Sequence, residues 1–70
     1  MDEQQDLAEA VARAVRDACF RLAATRYEDA SISGLCHEGA LEVALDAIRS
    51  LDVAPIVADF FQEREAGRTS

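Results

Sequence analysis

The sequence predicts an all-α fold in which one long helix is followed by two shorter helices. Hydrophobic residues recur every three or four positions in three successive segments, which places them on one side of a helix in each segment. Fourteen of the 70 residues are alanine, the strongest helix former. The connections between the segments are short, so we expect sequential helices to lie antiparallel, as a helical hairpin or a three-helix unit.

The first helix is predicted from Asp6 to Ala24. Acidic residues crowd its start and arginines follow, an order that complements the helix dipole. The residues at core spacing form one stripe along it: Leu7, Val11, Ala14, Val15, Ala18 and Leu22. This stripe predicts the side of the helix that packs inside the protein.

Beyond Ala24 the pattern weakens, because two polar residues fall where the stripe would continue, Thr25 and Asp29. One alternative is a bend near Ala24 that turns Tyr27 inward. The other is a helix that runs on to Ser31 and stops at Gly34, with Ile32 rejoining the stripe. We favour the long helix.

A second helix is predicted from His37 to Ser50. Its hydrophobic stripe is expected to form the core and consists of Leu41, Ala44, Leu45, Ile48 and Leu51. Asp52 can cap a third helix, and Pro55 is tolerated in its first turn, where no backbone donor is needed. We predict a single small helical domain over residues 1–66 and a frayed tail over residues 67–70.

The large hydrophobic residues are few, with nine Leu and Ile in total. A core this thin predicts that a second copy or a larger partner completes the fold, so we expect a homo-oligomer or a subunit.

The net charge of −7, with seven arginines and no lysine, disfavours direct binding to nucleic acid or anionic membranes. The acidic start of the chain lacks the features of a signal peptide, and we expect a cytoplasmic protein with reduced thiols.

Aromatic residues provide the candidate partner-binding site. Phe20 and Tyr27 are seven positions apart and fall nearly opposite the stripe of the first helix, which suggests a second apolar surface. The predicted site uses aromatic anchors, with arginines at the rim. Its members are Phe20, Tyr27, Phe60, Phe61, Arg13 and Arg16.

Cys36 and His37 are the one pair that could support thiol chemistry. A cysteine at a helix start can be stabilised as a thiolate, and a neighbouring imidazole could assist it. Adjacent helix positions point about 100° apart, so we favour a structural role for both residues.

The acidic stripe of the second helix, formed by Glu38, Glu42 and Asp46, is interpreted as a solvated surface, and we expect no metal or cofactor.

The leading hypothesis is a non-enzymatic α-helical interaction or accessory protein that acts through apolar helix faces. The first alternative is a thiol protein that uses Cys36 in redox or nucleophilic chemistry. The second alternative is an acidic inhibitor that occupies a basic groove of another protein.

Overall fold

The computed structural model describes residues 2–68, with side chains through residue 66. These residues form three α-helices and no strand: α1 spans Glu3–Ile32, α2 spans His37–Ser50 and α3 spans Val53–Arg68. Helix α1 packs against both α2 and α3. The predicted all-α fold, one long helix followed by two shorter ones, is therefore confirmed.

Helix α1 begins at a capping residue, Asp2. One side-chain oxygen of Asp2 accepts a hydrogen bond from the backbone N–H of Gln4 at 3.1 Å, and its carbonyl accepts one from the N–H of Asp6 at 3.1 Å. The side-chain bond satisfies a donor that the first turn of a helix leaves unpaired, and the bond from Asp6 is the first of the regular helical pattern. The helix then continues without interruption past Ala24, so the long-helix alternative is correct.

Helix α1 ends in a Schellman motif. The N–H of Leu35 bonds to the carbonyl of Ala30 at 3.0 Å, and the N–H of Gly34 bonds to that of Ser31 at 3.1 Å. Gly34 has a φ of +100°, a conformation that a side chain would strain. The stop at Gly34 is therefore confirmed.

The expectation that Ile32 rejoins the core stripe is wrong, because its side chain is 78% exposed. Toward its end, α1 is covered at three positions spaced by four and three: Ala23 and Tyr27 are half-buried and Ala30 is buried. Helical geometry places Ile32 almost opposite Ala23 and Ala30 on α1. This half of the helix packs against α2, and that contact determines which side is covered.

Helices α2 and α3 begin near the predicted residues. Helix α2 has the predicted bounds, with Cys36 at its N-cap position. Asp52 caps α3, because its side-chain oxygen accepts a bond from the N–H of Ala54 at 3.2 Å. Helix α3 continues through Arg68, so residues 67 and 68 of the predicted tail are helical, and residues 69–70 of that tail lie outside the described residues.

The chain divides into two compact units that share α1. The first unit combines the start of α1, through Asp17, with α3, and the second combines α1 from Ala18 onward with α2 and ends at Leu51. The description of residues 1–66 as a single domain stays a prediction. Within residues 2–68, no helix combines the length and the apolar character needed to cross a membrane.

The most deeply buried residues of the second unit are alanines. Among the described residues, the buried ones are Ala30, Ala40 and Ala44, and no large side chain is fully buried. The prediction that the large residues of α2 form its core is wrong, since Leu41, Leu45 and Ile48 are 44%, 53% and 41% exposed. The apolar arc of α2 is wider than one neighbouring helix can cover, and α2 turns its alanine edge toward α1.

Candidate protein-interaction surface

A side-chain contact fixes how α1 and α2 face each other in the second unit. The hydroxyl of Tyr27 lies 2.6 Å from Nδ1 of His37, within hydrogen-bond distance. The two rings meet edge to face, with their centroids 5.7 Å apart and their planes at 73°. Tyr27 is half-buried and His37 exposed, so the contact marks the edge of the interface between the helices.

Helix geometry identifies the residue of α1 that lies on the same side as Tyr27. Phe20 precedes Tyr27 by seven residues, or almost two turns, and therefore lies on nearly the same side of α1. Its side chain is 72% exposed, whereas Tyr27 is half-buried. Phe20 is thus a protruding aromatic ring on the side of the hairpin that carries the Tyr27–His37 contact.

Helix geometry likewise identifies the residues of α2 that lie on the same side as His37. Leu41 and Ile48 follow His37 by four and eleven residues, which turns them by about 40° and 20° from its direction. Leu45 lies about 80° from His37 and is the most exposed of the large apolar residues on α2. All three belong to the side of α2 that His37 marks.

One surface of the second unit therefore carries six apolar or aromatic side chains, which we call the hairpin face: Phe20, Tyr27, His37, Leu41, Leu45 and Ile48. Because α1 and α2 run antiparallel, seven residues back from Tyr27 reach the same level as seven residues forward from His37. Phe20 therefore lies at the level of Ala44, between Leu41 and Ile48 along the hairpin. The hairpin face thus combines aromatic and aliphatic side chains of both helices on one side of the hairpin.

The sequence interpretation missed Leu41, Leu45 and Ile48 as surface residues. They share the helical spacing of a core stripe, and a stripe alone does not say which partner covers it. The signal that could have found them is the neighbouring run of small residues, Ala40, Ala44 and Ala47, at the same spacing. Small residues let two helices approach closely, so that run marks the side of α2 that meets α1.

The other two predicted anchors lie in the first unit. Phe60 and Phe61 contact each other edge to face, with ring centroids 5.3 Å apart and planes at 88°. Phe60 is half-buried and lines an open groove of about 360 Å³ with Leu7, Ala10 and Arg64. Phe61 is 39% exposed. Phe60 therefore packs within its own unit, whereas part of Phe61 remains available to a partner.

The predicted rim arginines lie on the exposed surface of α1. The guanidinium of Arg13 lies 3.7 Å from the carboxylate of Glu9, one turn earlier, and both side chains are more than half exposed. Arg16 is also exposed. An exposed pair of this kind contributes little to stability, so these charges are free to form the polar edge of an interface.

The structure does not bring Cys36 and His37 together. The imidazole of His37 is directed at Tyr27. The Sγ atom of Cys36 instead lies near Gly39, 3.7 Å from the place that the Cβ of an alanine at position 39 would occupy. No hydrogen bond joins Cys36 to His37 in the described part of the chain. Cys36 is an exposed free thiol, and its use in chemistry stays a prediction.

The acidic stripe of α2 is exposed along its whole length. Over residues 2–68, no group of three or more acidic, cysteine or histidine side chains has an arrangement that could hold a metal ion. The stripe lies beside Leu45, with Glu42 and Asp46 bordering a shallow surface groove that Leu45 and Arg49 complete. It therefore forms a charged border of the hairpin face.

No protein-family model matches this chain, and neither a curated protein nor a solved structure is significantly similar to it. The fold and the exposed surfaces described above are therefore the basis on which a function can be proposed.

Proposed function

We propose that this chain is a non-enzymatic helical interaction protein, acting as an oligomer or as a small accessory subunit through its apolar helix faces. One observation carries the proposal: six large hydrophobic side chains of the second unit are exposed, while its buried residues are alanines. Contiguous exposed apolar patches on soluble proteins mark interaction sites. Both helices of the hairpin contribute exposed apolar side chains to the hairpin face.

Covering the hairpin face would release substantial free energy. A phenylalanine side chain presents roughly 150–250 Å², so burying the exposed part of Phe20 gains about 3 kcal/mol at the usual coefficient for apolar area. The exposed parts of Leu41, Leu45 and Ile48 add to this gain. A few large side chains near the centre of an interface typically supply most of its binding energy.

The charges around the patch favour a protein partner. The chain carries a net charge of −7, and the acidic stripe borders the hairpin face next to Leu45. Phosphate backbones and anionic lipids would be repelled by such a border. A protein surface can match an apolar centre with a polar rim of this kind.

The proposal can be tested by photo-cross-linking in the cells that make the protein. The variant Phe20→p-benzoylphenylalanine places a photoreactive group on the hairpin face. The control is the same replacement at Ile32, which is 78% exposed and therefore at least as accessible, but lies on another side of α1. We expect position 20 to give discrete covalent adducts with protein and position 32 to give none.

The control is stringent because random collisions would favour Ile32, the more exposed of the two sites. Equal labelling from both positions would contradict the proposal, as would the absence of any protein adduct from position 20. Mass spectrometry of the adducts identifies the partner.

A further inference from the structure

We draw no further inference here: the strongest candidate, the open groove of the first unit lined by Leu7, Phe60 and Arg64, carries acidic as well as basic side chains on its walls and so selects no class of ligand by charge, and nothing in the structure shows what fills it.

Discussion

The two units of this chain present different kinds of side chain to the same long helix. In the first unit, three of the five large apolar residues of α3 are half-buried, Ile56, Val57 and Phe60, and the other two are exposed. In the second unit, α2 turns alanines inward and leaves its leucines and isoleucine exposed. Helix α3 therefore uses most of its large side chains in the packing of its own unit, whereas α2 leaves most of its large side chains exposed to another surface.

The difference shows that a hydrophobic stripe has two properties, its position on the helix and the partner that covers it. Periodicity reports the position, because it depends only on helix geometry. The partner depends on which part of a wide apolar arc fits most closely against the neighbouring helix. In α2 that part is the small-residue edge, so the large residues form a separate surface beside it.

The largest expected effect is from overfilling the alanine interface of the second unit. Ala40 is fully buried, with 0% exposure, so Ala40→Leu forces α1 and α2 apart. We expect the free energy of unfolding to fall by about 3 kcal/mol, the upper end of the range for overpacked cores. Chemical denaturation at one fixed protein concentration measures it.

The matched control for Ala40→Leu is Ala58→Leu, which adds the same atoms at an exposed position within α3. Its expected effect is no more than about 0.5 kcal/mol in either direction. Similar losses from both variants would show that the second unit does not depend on close contact at its alanines.

The next effect tests whether the first unit relies on its large side chains. Truncating a fully buried phenylalanine costs about 3–5 kcal/mol, so Phe60→Ala, at a half-buried position, should cost about 2 kcal/mol. Phe61→Ala, its immediate neighbour and contact partner, should cost under about 1 kcal/mol because that ring is already partly in solvent. Denaturation curves of the two variants measure the difference, and equal losses would contradict the assignment of Phe60 to the interior.

The two glycines around the turn between α1 and α2 should respond in opposite directions. Gly34→Ala forces a side chain into a φ of +100° and should cost about 1 kcal/mol, although no atom stands in its way. Gly39 is helical, and a Cβ there would meet Leu35 at an ordinary 3.5 Å. Gly39→Ala should therefore stabilise the protein by about 0.5–1 kcal/mol.

Thermal unfolding of the two glycine variants measures both changes. A loss of stability on Gly39→Ala would mean that the first turn of α2 packs more tightly than the distances to Leu35 and Cys36 indicate. A neutral Gly34→Ala would contradict the left-handed stop of α1.

Sequence patterns predicted the local features of the fold and missed the choice of packing partner. The stop at Gly34, the cap at Asp52 and the bounds of α2 follow from backbone chemistry that neighbouring residues determine. The exposure of Leu45 and Ile32 follows from how helices distant in sequence meet, which local spacing does not encode. The exposure of Phe20 could be predicted because it falls opposite the first stripe, whereas Leu41, Leu45 and Ile48 lie within a stripe that has the spacing of a core.

The smallest expected effect concerns Cys36 and separates the interaction hypothesis from the thiol alternative. The imidazole of His37 is engaged with Tyr27, whose hydroxyl lies 2.6 Å from Nδ1, so it is not directed at the sulfur. We expect Cys36 to be alkylated at neutral pH no faster than a cysteine in an unstructured peptide, and His37→Ala to leave that rate unchanged within about twofold. Mass spectrometry that resolves the labelled peptide distinguishes Cys36 from the half-buried Cys19. The contrary result would be a much faster alkylation of Cys36 that slows in His37→Ala and stays fast in Tyr27→Phe. It would show that the imidazole activates the thiol, and it would favour the thiol alternative over an interaction surface.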